Sequence, residues 1–554
     1  MSDDRAVRII PLGGLGEIGL NMMVVEAADD LLVIDAGLMF PDEEMPGIDL
    51  VIPDMSYVLA HREKARAVLL THGHEDHTGA LPYLLNELKV PVYGTPLSLG
   101  LAAEKLKEAD LLPEVDLRPV HPRDRLQLGV FDVQFLRVSH SIPDGVALAI
   151  GSPAGMIVHT GDFKFDQSPV DGQLTDYRIL SELGDGGVLA LLSDSTNANR
   201  DGFTPSERAV GRAFEEIFRL AEGRVIVTCF ASNIHRIQQV LDVAAALGKQ
   251  VAVSGKSMVA NTRIAADLGY LRIPKDTLVG LEELQRLPAA QGVIVTTGSQ
   301  GEPLSAIARM AAADHKQIQV APGDTVIFSA RVIPGNEKSI ARTINGLFRQ
   351  GALVITEEVA GVHVSGHASR EELKLMLNLT RPSCFVPIHG EYRHLHLHAQ
   401  VAREVGMPEN RIFVIDDGDI LELNDEGGRV VGQVPAGRVF VDGKGIIDVG
   451  DKVLRDRQHL AQDGIVVVAL AVDRHRGKLV GGPEILSRGF VYGRDSETLL
   501  DEMKAVVCSV LERATEEEQA DYALMQQQIK TALKKYLQKG IERRPVIEPL
   551  IIEV

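Results

Sequence analysis

The sequence contains no run of apolar residues long enough to cross a membrane, and it opens on the polar stretch Met1-Ser2-Asp3-Asp4-Arg5. A membrane span and a signal peptide are therefore not expected. Cysteine is scarce: Cys229, Cys384 and Cys508 lie far apart, each in an apolar stretch. That excludes a disulfide framework and fits buried thiols in a reducing cytoplasm. An excess of positive charge is also missing, since 57 Lys and Arg face 77 Asp and Glu for a net charge of −20. Wholesale charge-driven binding to nucleic acid is excluded, whereas a local basic or metal-lined groove is not. What remains is an ordinary globular composition, 45% hydrophobic and 24% charged, in a 554-residue chain long enough for roughly two to four domains.

The densest chemical signal is His72-Gly73-His74-Glu75-Asp76-His77, which follows the apolar run Ala67-Val68-Leu69-Leu70. At a strand exit, residues two apart face one side, so His72 and His74 can aim at one point. Asp76 and His77, on the entry to a helix, can reach a second point beside it. Imidazole and carboxylate ligands suit Zn²⁺ or Mn²⁺, and two adjacent points suggest a two-metal site. Further polar residues stand at the ends of apolar runs: His140 after Phe131–Val138, Asp162 after Met156–Val158, and His389 after Cys384–Val386. The cleft of a layered α/β fold collects ligands at strand ends. With the first cluster these make seven ligands, enough for two ions with one ligand shared. Asp35, closing another apolar strand, reads either as a partner orienting the metal histidines or as a loop cap.

Near the start, Gly14, Gly16 and Gly19 satisfy the dinucleotide pattern GxGxxG, with Asp35 close to the expected acidic position. That motif needs a helix next. Here the pattern reads strand, turn, strand, so dinucleotide binding is rejected, and the glycines serve a close backbone approach to the cleft. Between about 200 and 350 the pattern changes to alternating strands and helices, an inserted parallel sheet flanked by helices. Thr204-Pro205-Ser206-Glu207 reads as a capping box opening its first helix, and Ser369 with Glu372 as another. Ser232-Asn233, before a helix at Ile234, is either an ordinary N-cap or an anion-binding turn. The loop His363–Ser369 is a candidate phosphate cradle. His394, His396 and His398 read as surface residues on a helix. Residues 416–450 read as a linker region. From about 455 a small α+β domain is expected, with a strand at Phe490–Tyr492 after a turn at Arg474–Gly477. Its end is basic through Lys530, Lys534, Lys535, Lys539, Arg543 and Arg544, which is either a solvated face or a surface for RNA or self-association.

Taken together, His72, His74, Asp76, His77, His140, Asp162 and His389 resemble the ligand set of a metallo-β-lactamase-fold hydrolase. Asp194 in Ser193–Asn197, His367 in His363–Ser369, and His389 resemble three motifs of the β-CASP nucleases. The opening Gly13–Gly19 and Ile388-His389-Gly390-Glu391-Tyr392 narrow the resemblance to the bacterial ribonuclease J family, over essentially the whole chain.

The resemblance implies an αββα sandwich (1–200 and 351–430), an inserted β-CASP domain (201–350), a linker (431–455) and a C-terminal α+β domain (456–554). It assigns His72, His74, His140 and Asp162 to one ion, and Asp76, His77, Asp162 and His389 to the other. Asp194 and His367 join Asp162 as catalytic residues, and the Ser232-Asn233 turn becomes a nucleotide contact. Substrate binding is then expected at Ser232, Asn233, Ile234, His363, Val364, Ser365, Gly366 and His367. A structural cation, Ca²⁺ in some relatives, would sit between Asp49 and Asp442. The implied activity is exo- and endonucleolytic cleavage of single-stranded RNA in mRNA decay and rRNA maturation. The implied setting is a cytoplasmic homodimer or homotetramer, with RNA-degradation partners. A DNA-acting β-CASP nuclease, a small-ester hydrolase and a non-catalytic RNA-binding subunit are the competing readings.

Overall fold

The computed structural model describes residues 6–42, 45–302, 304–333, 335–443, 445–446, 451–473, 479–490, 496–515, 518, 521–540 and 543–554. It divides into two compact units, Met1–Phe40 with Leu50–Val439, and Pro41–Asp49 with Phe440–Val554.

Two sheets pack face to face in the first unit. The eight-stranded sheet runs from the hairpin Gly427–Gln433 and Asp419–Asn424 through Val7–Gly13, Met22–Ala27, Asp30–Ile34, Ala65–Leu69 and Val92–Gly94 to Leu117–Pro119. The six-stranded sheet has the order Cys384–Ile388, Val188–Asp194, Gly155–His159, Val146–Ser152, Phe131–Arg137, Arg125–Leu128. Successive side chains alternate faces, and both faces are covered, so the strands read as near-continuous apolar runs. Phe135, Leu148, Ile157, Leu192 and Val386 meet Ile9, Val25, Leu32 and Leu69 between the sheets. Their neighbours Leu136, Ala149, Val158, Leu191 and Phe385 pack outward on Leu180, Met376 and Val401 of the covering helices.

The insertion is a wholly parallel five-stranded sheet, ordered Gln250–Ser254, Gly292–Thr296, Val225–Thr228, Thr325–Phe328, Leu353–Ile355. Its fifth strand lies beyond the expected boundary at residue 350. One face packs on helices Arg208–Leu220 and Ile234–Ala246, together with Leu97, Leu101 and Ile142 of the first fold.

Several expectations are corrected. The helix after Thr204 begins only at Arg208, with no side-chain cap bond. Thr204 and Glu207 are taken up by tertiary partners, Thr204 Oγ1 donating to the His367 carbonyl (2.7 Å) and Glu207 pairing with Arg236. The box at Ser369 and Glu372 forms as expected. His394 and His398 are buried, not on the surface, because one face of helix Tyr392–Glu404 packs inward; His398 Nδ1 lies 3.0 Å from Ser195 Oγ. His396 is exposed. The region read as linker holds the hairpin that edges the first sheet and, at Asp451–Asp463, a helix.

In the second unit, strands Leu479–Arg488, Ile465–Val472 and Val546–Glu553 form a sheet, and Val466, Val468 and Ile547 pack on Met503, Val507, Ile529 and Leu533 of two helices. The second strand of this unit is Leu479–Arg488, ahead of the expected Phe490–Tyr492. Phe490 belongs to the core, while Tyr492 and Arg474–Gly477 lie outside the described residues. Asp442 is ion-paired with Arg457 at 2.6 Å, and Asp49 accepts from the Gly443 N–H at 2.8 Å. The guanidinium therefore already neutralises the carboxylate expected to hold a structural cation. No helix among the described residues is long and apolar enough to cross a membrane.

Candidate metal centre

Five strand ends of the two facing sheets deliver the cleft residues. After Ala65–Leu69 come Thr71, His72 and His74, then Asp76 and His77 on the short helix Glu75–Thr78. His140 follows Phe131–Arg137, Asp162 follows Gly155–His159, Asp194 ends Val188–Asp194, and His389 follows Cys384–Ile388. Parallel pairing of Val188–Asp194 with both Gly155–His159 and Cys384–Ile388 brings the last three ends side by side.

Three overlapping groups have ligand atoms gathered within 4.8 Å: His72, His74, His140 and Asp162; Asp76, His77, Asp162 and His389; and Asp162, Asp194, His367 and His389. Donor atoms around a tetrahedral Zn²⁺ at about 2.1 Å sit about 3.4 Å apart. In the first group, His74 Nδ1 is 3.0 Å from His72 Nε2 and 3.2 Å from His140 Nε2, while Asp162 Oδ2 is 3.7 Å from both of those Nε2 atoms. In the second, His77 Nε2 is 3.3 Å from Asp162 Oδ2 and 3.7 Å from Asp76 Oδ2, and His389 Nε2 is 3.6 Å from Asp76 Oδ2.

Outer partners set which nitrogen faces the cleft. His140 Nδ1–H donates to the Gly366 carbonyl (2.8 Å) and His77 Nδ1–H to Asp35 Oδ2 (2.7 Å), leaving both Nε2 lone pairs inward. Asp35 also accepts from the Thr71 N–H at 2.8 Å, so it is both an orienting partner and a loop cap. His389 Nε2 is buried without a hydrogen-bond partner, which suits a ligand atom. Burial, then the neighbouring His77, holds His72 well below the usual imidazole range. Burial holds His140 well below it too and takes His74 down to about 3, so all three are neutral and ready to coordinate. Against burial, His389 and His77 keep Asp162 ionised. The Asp162 carboxylate in turn outweighs burial at His77 and His389 and raises both, so a second cation would have to displace their protons. The donor set and its spacing fit two divalent ions sharing Asp162.

Backbone packs tightly here. A Cβ on Gly37 would lie 1.6 Å from the Asp76 carbonyl oxygen, and one on Gly366 would lie 2.5 Å from His140 Cε1. The glycines of Gly13–Gly19 serve close approach as expected: strand Leu15–Gly16 pairs with Gly390–Glu391, beside His389. Strand Met22–Ala27 follows them instead of a helix, as a nucleotide motif would have required.

Beside the ligands, His367 Nδ1 is 2.8 Å from Asp194 Oδ2. Burial disfavours its charge, but the Asp194 carboxylate outweighs that and raises His367 to about 9. The residues expected to bind phosphate lie on two further stretches. Asn233 caps helix Ile234–Ala246, its side chain accepting from the Arg236 N–H at 3.0 Å, with Ser232 just before it. The His363 imidazole lies by the Ser329 backbone, and its Nδ1 is buried without a partner. Ser365 Oγ accepts from Asn197 Nδ2 at 2.8 Å and from the His367 N–H at 3.2 Å, while Val364 is buried and the Gly366 carbonyl takes the proton of His140.

Four supports of this loop escaped the sequence reading: Lys164, Asn197, Arg236 and Glu207. Lys164 Nζ, in a nearly fully buried side chain, donates to the Ser365 and Pro205 carbonyls, both at 3.2 Å. Asn197 lay inside the motif around Asp194, and Lys164 two residues from a ligand. Position relative to those motifs was the only signal for either. Glu207 was read only as part of a capping box, and Arg236 had no signal.

The family comparisons follow this architecture. Residues 15–228 match the metallo-beta-lactamase superfamily, and 222–347 match the beta-CASP domain of ribonuclease J. Residues 354–414 match the RNA specificity domain of Zn-dependent metallo-hydrolases, and 452–554 match the ribonuclease J C-terminal domain. Ribonuclease J2 of Bacillus subtilis is 44% identical over 548 residues, 99% of each chain. Ribonuclease J of Thermus thermophilus is 44% identical over 555 residues, covering 99% of this chain and 95% of its own. A crystal structure of a protein of unknown function from Enterococcus faecalis V583 superposes with a TM-score of 0.54 at 14% identity, over 76% of this chain and all of that one, and shows the fold alone. With sandwich, insertion and C-terminal domain each matched in order, and relatives aligned end to end, the chain belongs to the ribonuclease J family.

Proposed function

We propose that the chain is a metal-dependent ribonuclease that hydrolyses single-stranded RNA to 5′-phosphate products, stepping from a 5′-monophosphate end and also cutting internally. The observation that carries the reading is the contiguity of two candidate metal-ligand groups sharing Asp162 with an Asp194–His367 pair, whose histidine lies on the loop that also carries His363 and Ser365. Family membership and the matched RNA specificity domain support RNA as the substrate class.

His72, His74, His140 and Asp162 would hold one ion, and Asp76, His77, Asp162 and His389 the other. Zn²⁺ or Mn²⁺ bound there supplies positive charge against the phosphodiester and brings the pKa of water toward neutrality. Asp194 holds the Nδ1 proton of His367 and keeps that imidazole charged, so its other nitrogen can give a proton to the departing O3′. Water oxygen bonds to phosphorus as the P–O3′ bond breaks, leaving the phosphate on the 5′ side of the downstream product. Ser232, Asn233, the N–H groups opening helix Ile234–Ala246, His363 and Ser365 bind a neighbouring phosphate, through hydroxyl, amide and imidazole donors near a helix N-terminus.

The test incubates 5′-monophosphorylated RNA and matched DNA with the protein and Zn²⁺ or Mn²⁺, separating mononucleotides from internal fragments. RNA is expected to yield both, and chelation neither. Cleavage of DNA alone, or of RNA with undiminished rate after complete chelation, overturns the reading.

A further inference from the structure

Arg236 is a charged side chain with no exposed surface, on the first turn of helix Ile234–Ala246. Its Nε donates to Glu207 Oε1 at 2.7 Å. From the same guanidinium, one terminal nitrogen donates to the Ser329 carbonyl at 2.8 Å and to the Val362 carbonyl at 3.2 Å. Ser329 Oγ closes the arrangement by donating to Val362 at 2.6 Å. Glu207 is held in turn by its own N–H on Asp166 Oδ2 at 3.0 Å. A buried ion pair costs desolvation that apolar residues of similar size would avoid, so stability alone is a poor reason for it.

Its connections suggest a better one. The Arg236 N–H bonds the side chain of Asn233, on one wall of the candidate phosphate pocket. Val362 and Ser329 belong to the other wall: Val362 immediately precedes His363, and the His363 imidazole lies by the Ser329 backbone. Arg236 thus meets both walls, with its main-chain N–H on Asn233 and its planar guanidinium on the Ser329 and Val362 carbonyls, which a flexible ammonium would hold less rigidly. The remainder of the loop is tied to the sandwich by other residues, Ser365 by Lys164 and Gly366 by His140.

We infer that Arg236, braced by Glu207, is a positioning residue for 5′-end recognition: it sets the gap between the Ser232-Asn233 turn and His363 without touching RNA or a metal ligand. The inference rests on the pocket assignment proposed above. It predicts a selective defect. Misplacing one pocket wall should weaken capture of a terminal phosphate by about 10- to 100-fold, while a cut far from any end is spared.

The experiment uses the full chain with Glu207→Met and Arg236→Met combined, which removes both charges and so leaves neither buried alone, alongside Arg236→Lys. Metal content and thermal unfolding are measured first. KM and kcat are then taken for 5′-monophosphorylated RNA, 5′-hydroxyl RNA and a circular RNA, which has no end. The expected result is a rise in KM for the monophosphate, a monophosphate-to-hydroxyl preference collapsing toward one, circular-RNA cleavage within about twofold of wild type, and an intermediate preference for Arg236→Lys. A folded, metal-loaded double variant that keeps the wild-type preference overturns the inference alone. So does equal loss on all three RNAs, or a double variant that fails to fold while Arg236→Lys folds with unchanged preference. A wild-type protein that does not prefer monophosphate over hydroxyl overturns the pocket assignment itself, and the inference with it.

Discussion

The candidate metal cleft and the proposed phosphate-binding residues share the loop His363–His367, yet they are built differently. Each candidate metal ligand except Asp76 and His77 stands at or just past the end of a sheet strand, and those two lie on the short helix Glu75–Thr78 that follows one. The sheets fix their positions before any side chain acts. Most pocket residues lie on loops between domains, held by buried donors: Lys164, Asn197 and His140 from the sandwich, and Arg236 from the insertion. A site on strand ends is placed by backbone pairing, whereas a site on loops depends on who holds the loops. Chemistry at the metals should therefore fail outright when a ligand is lost, and the pocket should fail by substrate.

The largest effect is expected from His74→Ala with Asp162→Ala. Metal content by elemental analysis should fall and RNA cleavage should drop to background in a protein that still unfolds cooperatively. Near-normal cleavage by the metal-free protein would end the two-metal account.

His367→Ala breaks the link between cleft and pocket. It should keep its metal and bind RNA, but turn over at least ~10²-fold more slowly at saturation, the scale of a lost general acid. If instead binding weakens and saturated turnover is unchanged, His367 is only a phosphate ligand.

Asp35→Ala removes the acceptor that orients His77. Metal affinity by calorimetry should weaken by about 10- to 100-fold, as for other lost partners of ligating histidines. Unaltered affinity would leave Asp35 as a loop cap alone.

On the pocket side, Ser232→Ala with His363→Ala should slow exonucleolysis of monophosphorylated RNA by about 10-fold or more, with far less effect on internal cleavage of triphosphorylated RNA. Equal loss on both would show that these residues support the metal site generally.

The smallest effect separates stability from either site. Burial, and then Glu17, pushes the Asp417 carboxyl up to about 8, so the folded chain keeps a proton that the unfolded chain releases near its ordinary value of 3.8. Its raised value means stability falls as pH rises through that interval. Asp417→Asn should raise the melting temperature at pH 8 by a few degrees and leave cleavage unchanged. An unchanged or lowered melting temperature at pH 8 contradicts the shift.

Much of the cleft was legible because its ligands are chemically rare residues at the ends of apolar runs. His72-Gly73-His74, His140, Asp162 and His389 needed only period-two alternation and the habit of layered folds to gather ligands at strand ends. The rejection of a nucleotide motif at Gly14, Gly16 and Gly19 held for the same reason, since the pattern after Gly19 is that of a strand. Misreadings fell where tertiary partners compete with local preference. Thr204 and Glu207 have the spacing of a capping box, but a carbonyl 163 residues away and a buried guanidinium claim them instead. His394 and His398 looked exposed because a helix pattern with many polar residues does not show which face lies against a sheet.

By itself, then, the sequence determined the histidine and aspartate residues gathered at strand ends, the inserted parallel sheet and the acidic, cysteine-poor character of the chain, all encoded in residue type and short-range period. Only the tertiary structure decided that Asp162 stands within reach of both ligand groups, that Asp194 engages His367, and that Arg236 joins Asn233 to Val362. Those relations depend on sheet register and on loops meeting across more than a hundred residues, and no local pattern carries that distance.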